Sequence, residues 1–194
     1  MARTPRITAE ALERLGAPAL AGMLVEHAAT DSVLRKKLGI VLAGTEGAEK
    51  LSNEIENRIR TIGRSRSYVD WDKRKGLVQE LDLLRTTISG TLAKQDPESA
   101  AERMWEFIGI ADNVLDRIGE DVGSIEDVFG EAMVDLGRIC GSLPQREPHA
   151  IARRVLAIAE SNRFGASGAI IQHLDEALGP EGRAELRKAT NAFV

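Results

Sequence analysis

Residues 77–92 read Leu-Val-Gln-Glu-Leu-Asp-Leu-Leu-Arg-Thr-Thr-Ile-Ser-Gly-Thr-Leu, and this stretch decides the fold class. Its large aliphatic residues recur at spacings of four, three, four and four, at Leu77, Leu81, Leu84, Ile88 and Leu92. This spacing places the side chains on one face of an α-helix, whereas a half-buried strand would alternate apolar and polar residues. The stretch therefore predicts an amphipathic helix.

A second apolar stripe follows the dipeptide Asp96-Pro97. Its members are Met104, Phe107, Ile108, Ala111, Leu115 and Ile118. An aspartate accepts hydrogen bonds from the first amides of a helix, and proline suits the first helical position, so Asp96 and Pro97 mark a helix start. A short connection of this kind joins antiparallel neighbours. The two stripes therefore predict a helical hairpin.

The rest of the chain carries similar start and stop signals. Ser124 with Asp127 three residues later resembles a capping box, and the dipeptide Gly179-Pro180 predicts a break between the last two helical segments. The other predicted starts and stops are Asp31, Gly44, Thr45 and Pro148. Together these signals predict helices along nearly the whole sequence.

The composition favours the same fold class. Of 194 residues, 43% are hydrophobic, 29% are charged and 4% are aromatic, which is typical of helices packed through aliphatic side chains. Strands would need more valine, threonine, tyrosine and phenylalanine. We therefore predict an all-α fold of stacked antiparallel helical hairpins, an α-solenoid of the HEAT or TPR kind, with a compact helical bundle as the alternative.

Domain organisation and compartment follow from what the sequence lacks. No uncharged stretch approaches the roughly 20 residues that span a bilayer, and the charged N-terminus does not resemble a signal peptide. A single cysteine, Cys140, cannot close an intrachain disulfide. We predict one cytoplasmic helical domain over residues 1–194, with a loosely attached helix at residues 8–15 and no membrane contact. The missing stop signal after Lys188 is compatible with a longer natural chain.

The most unusual segment covers residues 60–75 and is called the basic segment below. It has a net charge of +4 in a chain of net charge -4, and it contains the only tyrosine and one of the two tryptophans. Guanidinium groups pair with phosphates and carboxylates, and aromatic faces stack on bases. The candidate binding residues are Arg60, Arg64, Arg66, Tyr68, Trp71, Lys73, Arg74 and Lys75.

A purely structural interpretation of the basic segment competes with binding. In it, Gly63 ends one helix, Asp70 caps the next, and Tyr68 and Trp71 anchor the connection to the core while the cations stay solvated.

Residues 112–135, called the acidic segment below, have the opposite polarity, with a net charge of -7. Asp112, Asp116 and Glu120 recur at a spacing of four, so one helix face carries three carboxylates that a hard cation such as magnesium or calcium would accept. A solvated helix face explains the same pattern, and without an EF-hand pattern we predict no metal site. The acidic and basic segments are complementary and would also pair with each other, within the chain or between subunits.

No other constellation indicates catalysis. Cys140 lies among aliphatic residues, which predicts core packing rather than a nucleophile. The three histidines, His27, His149 and His173, are too scattered for a zinc site or a triad. We predict no catalytic residue and no cofactor.

Three short stretches carry a resemblance to known proteins. They are Arg64-Ser-Arg-Ser-Tyr-Val-Asp-Trp, Leu81-Asp-Leu-Leu and Gly123-Ser-Ile-Glu-Asp-Val-Phe. With them, residues 64–136 resemble a family of uncharacterised bacterial all-helical proteins, and also the helical region that accompanies SWIM-type zinc fingers. The resemblance implies stacked helices that bind a partner. It implies no catalytic residue and no finger, because a SWIM finger needs three cysteines and a histidine.

Three functional hypotheses follow. The first is a non-catalytic protein-interaction module that docks an acidic protein segment on a concave face or on the basic segment. The second is a nucleic-acid-binding accessory protein that uses the cations of the basic segment on phosphates and its aromatic residues on bases. The third is a metal-dependent helical enzyme built on the carboxylates Asp112 and Asp116. Association into a homo-oligomer is compatible with the first.

Overall fold

The computed structural model describes residues 6–119, 123–144, 147–161 and 171–191. Within these ranges every regular element is helical, so the all-α prediction is confirmed. The chain divides into two compact units, Met1–Gly39 and Ile40–Val194. The single domain over residues 1–194 stays a prediction. No helix of the described ranges has both the length and the apolar character needed to cross a membrane.

The helices are numbered here in chain order. The first three are α1 (Ala9–Glu13), α2 (Ala17–Thr30) and α3 (Ser32–Thr45). The next are α4 (Ala48–Arg64), α5 (Trp71–Thr87), a π-helical stretch (Ile88–Leu92) and α6 (Ala93–Gln95). The last are α7 (Pro97–Gly109), α8 (Ala111–Leu115), α9 (Gly123–Ser142), α10 (Pro148–Ser161) and α11 (Asp175–Asn191).

The first unit is held by local hydrogen bonds. The Asp31 Oδ1 atom accepts hydrogen bonds from the amides of Val33 at 2.8 Å and Leu34 at 3.0 Å, so the predicted N-cap at Asp31 is confirmed. Arg35 Nε donates to the carbonyl oxygen of Ala28 at 3.0 Å, which closes the end of α2. No described residue of this unit is buried.

The second unit is built on the predicted amphipathic helix. Leu81, Leu84, Ile88 and Leu92 are each fully buried, so the apolar stripe faces the core as expected. The stripe continues from α5 through the π-helical stretch without leaving the core. The buried face of α4 also has apolar residues at spacings of three and four. They are Leu51, Ile55, Ile59 and Ile62.

Several contacts in the second unit join helices that are not successive in the chain. Helix α4 contacts α7, and α5 contacts α9. Helix α10 contacts α11, and it lines a pocket together with α7 that is described below. Helix α9 also contacts α11. Stacked hairpins and a compact bundle both accommodate these neighbours, and the α-solenoid stays a prediction.

Several helix ends follow the sequence signals and others do not. Asp96 Oδ1 accepts the Ser99 amide at 3.0 Å and Pro148 begins α10, as predicted. Gly179, at φ 55, breaks the backbone inside α11. The assignments of Gly44 and Thr45 were wrong, because α3 runs through both and the N-cap of α4 is Gly47 at φ 115. Ser124 is the second residue of α9, which begins at Gly123.

Candidate functional site

The connection between α4 and α5, residues 65–70, is fixed from behind by Arg117. The amide of Val69 donates to the Arg117 carbonyl at 3.0 Å, and the Arg117 guanidinium donates to the carbonyl oxygens of Ile62 at 3.2 Å and Ser67 at 3.4 Å. Burial lowers the pKa of the Arg117 guanidinium. The backbone of the connection is therefore held in one place against the turn that follows α8.

The aromatic side chains of this connection point outward. Tyr68 is 61% exposed and Trp71 is 75% exposed, whereas Val69 between them is buried. The prediction that Tyr68 and Trp71 anchor the connection to the core was therefore wrong, and Val69 is the apolar anchor. The Arg74 guanidinium carbon lies 5.4 Å from the centre of the Trp71 ring, within cation–π range.

Two of the predicted cations form salt bridges with carboxylates three or four residues earlier in the chain. Arg60 pairs with Glu56 one turn earlier on α4, and Lys73 pairs with Asp70 at 2.9 Å. The bond to Asp70 raises the pKa of Lys73. Asp70 occupies the N-cap position of α5 but makes no side-chain bond to an amide of that helix.

The remaining predicted residues are exposed, except Arg74, which is half-buried. Arg64, Arg66 and Lys75 are exposed, and none of them makes a salt bridge with another described residue. Together with the two aromatic residues and Arg74 they define what is called the docking surface below. It comprises Arg64, Arg66, Tyr68, Trp71, Arg74 and Lys75.

Gly63 has a different role from the predicted one. Helix α4 continues through Arg64, so Gly63 does not end it. A Cβ atom at Gly63 would lie 2.5 Å from Cγ2 of Ile110, so this glycine allows α4 to approach the end of α7 closely.

The acidic segment is divided among several environments. Glu131 and Asp135 both pair with Arg85 of α5, at 2.8 and 2.7 Å. Glu126 in the first turn of α9 and Asp127 after it are exposed. Glu120, one of the three carboxylates proposed for a metal, lies outside the described residues. Among the described residues no group of three or more His, Cys, Asp and Glu side chains is placed to hold a metal ion.

A separate pocket of about 190 Å³ lies between α7, α9 and α10. Trp105 forms one wall, and the Arg154 guanidinium lies 5.7 Å from the centre of its ring and pairs with Glu102. Cys140 lies at the base. No local pattern in the sequence predicts this pocket, because residues between positions 98 and 105 of α7 line it together with residues between positions 140 and 154 further along the chain.

Cys140 is a buried core residue, as predicted. It is 1% exposed, and burial raises the pKa of its thiol to about 11. Because the thiolate is the reactive form, a shift from the ordinary value of about 9 lowers the reactive fraction near pH 8 about hundredfold. We expect a disulfide reagent to modify Cys140 at least about a hundredfold more slowly in the folded chain than in the denaturant-unfolded chain. Equal rates would show that the thiol is accessible and ordinary.

Comparisons with known proteins identify one family. No curated protein and no solved structure matches the chain. The association with SWIM-type zinc fingers finds no support in them. The model of a family of unknown function, DUF6880, matches residues 2–193. The chain belongs to this DUF6880 family.

Proposed function

We propose that the chain is a non-catalytic protein-interaction module that binds an acidic segment of another polypeptide through the docking surface. The observation that carries the proposal is the exposure of Trp71 and Tyr68 among cations, on a connection whose backbone is fixed. Exposed aromatic side chains that are surrounded by polar and charged residues are typical of surfaces that bind a partner.

The composition of the surface suits protein binding. Tryptophan, tyrosine and arginine are the residues that most often dominate the binding free energy of protein interfaces. The bonds from Arg117 hold the connection in place before a partner arrives, which reduces the entropy lost on binding. The cations attract and orient an acidic partner.

The same residue types suit single-stranded nucleic acid, and charge distinguishes the two partners. The whole chain has a net charge of -4, and the acidic segment begins beside the connection, where Arg117 touches Ser67. A long polyanion that follows the docking surface would meet these carboxylates, whereas a short acidic peptide segment would not. We therefore favour a protein partner.

The experiment is a fluorescence anisotropy titration of a labelled glutamate-rich peptide that contains aromatic residues. A labelled oligothymidylate of the same net charge is titrated in parallel. We expect the peptide to bind more tightly than the oligonucleotide at physiological salt. Trp71→Ala should raise the Kd for the peptide at least about tenfold, as expected for a central aromatic contact. Arg66→Glu should raise the Kd by a larger factor at low salt than at high salt, because salt screens the charge.

The matched control is Arg153→Glu, which makes the same charge change at an exposed position of α10. It should leave the Kd within about twofold of the wild-type value, because Arg153 is not part of the docking surface and an isolated exposed charge contributes little. Preferential binding of the oligonucleotide, with the same loss in Trp71→Ala, would replace the proposal by the nucleic-acid alternative. Binding that is insensitive to Trp71→Ala would refute the docking surface itself.

A further inference from the structure

The docking surface lies beside the acidic segment rather than opposite to it. Residues 65–70 contact the turn after α8 through the Val69 amide and the Arg117 carbonyl. The Tyr68 hydroxyl lies 2.6 Å from the place that a Cβ atom of Gly119 would occupy. The connection between α4 and α5 and the end of α8 therefore form one end of the second unit.

The start of α9 belongs to the same end. Gly119 and Gly123 are four residues apart, so their Cα atoms are separated by at most about 14 Å. Glu126 lies in the first turn of α9, Asp127 follows it, and both are exposed. The chain connectivity thus keeps the exposed carboxylates at the start of α9 on the side of the unit where the exposed cations and aromatic residues lie.

Adjacent surfaces of opposite charge are self-complementary under a twofold axis. In a twofold interface each copy presents the same surface. The positive part of each copy can therefore cover the negative part of the other, which forms two equivalent contacts. Electrostatic complementarity of this kind fixes orientation and increases the association rate. An arrangement in which the positive part of one copy covered the positive part of the other would instead place like charges together.

We propose that the occupant of the docking surface is the start of α9 in a second copy of this chain. Arg64 and Arg66 of one copy face Glu126 and Asp127 of its partner, and the reciprocal contact forms on the other side of the axis. Trp71 lies near the centre, where its exposed ring becomes covered. This inference rests on the proposed function, because it names the partner of the same surface.

The test is sedimentation velocity over a range of protein concentrations with two charge-reversed variants. The first, Arg64→Glu with Arg66→Glu, makes the docking surface negative. The second, Glu126→Lys with Asp127→Lys, makes the start of α9 positive. We expect the wild type to dimerise, each variant alone to show a dimer Kd at least about tenfold higher, and the equimolar mixture to recover the wild-type Kd as a heterodimer.

Two single substitutions outside the docking surface and the start of α9 serve as controls. Glu49 lies in the first turn of α4, about 22 Å along the helix from Arg64, and Arg153 lies on α10. Glu49→Lys and Arg153→Glu should dimerise like the wild type. Thermal unfolding of every variant verifies that the reversals at the start of α9 leave the chain folded.

The outcomes separate this inference from the proposed function. A wild type that stays monomeric at every concentration, or a mixture that recovers no dimer, overturns the second copy as the occupant. If the acidic peptide then still binds Glu126→Lys with Asp127→Lys but not Arg64→Glu with Arg66→Glu, the proposed function stands alone. If the peptide binds both variants equally, both proposals fail.

Discussion

We expect Gly137→Ala to lower the free energy of unfolding by about 3 kcal/mol, an effect of the size seen when a packed interface receives an atom for which there is no space. A Cβ atom on Gly137 of α9 would overlap the backbone carbonyl of His173. If a side chain occupied the place of this Cβ atom, it could rotate away. The backbone carbonyl of His173 can move only if its segment separates from α9. Chemical denaturation with linear extrapolation measures the loss.

Gly130→Ala is the matched control for this substitution. Gly130 lies in the same helix, and nothing lies within 4 Å of the Cβ atom that alanine would add. Because glycine in a helix interior costs up to about 1 kcal/mol relative to alanine, this variant should be more stable than the wild type. Equal stability of the Gly137 and Gly130 variants would contradict the close approach of α9 to residue 173.

The second large effect is expected for Arg85→Ala. Arg85 of α5 is 15% exposed and bonds the Asp135 carboxylate of α9 at 2.7 Å, and Asp135 is 6% exposed. Burial lowers the pKa of Arg85, but the hydrogen bonds that its guanidinium donates to Asp82 and Asp135 outweigh this effect, and the pKa is raised. Without Arg85, the buried carboxylate keeps only the exposed Arg138 as a cation partner among the described residues. We expect a loss of about 3 kcal/mol.

A double-mutant cycle tests the cause of this loss. Arg85→Met removes the guanidinium, Asp135→Leu removes the buried carboxylate, and the double variant with both substitutions replaces the pair by apolar side chains. The double variant should be more stable than the sum of the two single losses predicts, because neither charge is left unpaired. Additive losses would mean that the pair between α5 and α9 contributes nothing as a pair.

The sequence predicted the helices well where the signal is local. The spacing of Leu81, Leu84, Ile88 and Leu92 identifies the buried face, because helical periodicity depends only on neighbouring turns. The π-helical geometry of Ile88–Leu92 was not predictable, since a spacing of four fits both kinds of helix. The start of α4 was misplaced because Gly44 and Gly47 are equally good stop signals, and only the structure shows which adopts positive φ.

The sequence predicted which residues belong to the candidate site, but not which of them are buried and which are exposed. The basic segment was evident from its charge and its aromatic residues. That Val69 rather than Trp71 is buried depends on Arg117, which is 48 residues further along the chain, so no local pattern reveals it. The pairing of Arg60 and Lys73 with carboxylates one turn away follows helical spacing, and this signal was available in the sequence.

The central claim is that the docking surface around Trp71 receives an acidic polypeptide. The chain has two tryptophans, and in a Trp105→Phe background, excited at a wavelength that tyrosine does not absorb, Trp71 is the only residue of the chain that emits. Titration of this variant with the unlabelled acidic peptide should shift the emission to shorter wavelength and reduce quenching by acrylamide, because the ring leaves water. Unchanged emission and quenching, at a peptide concentration where anisotropy shows saturation, would place the binding elsewhere and contradict the claim.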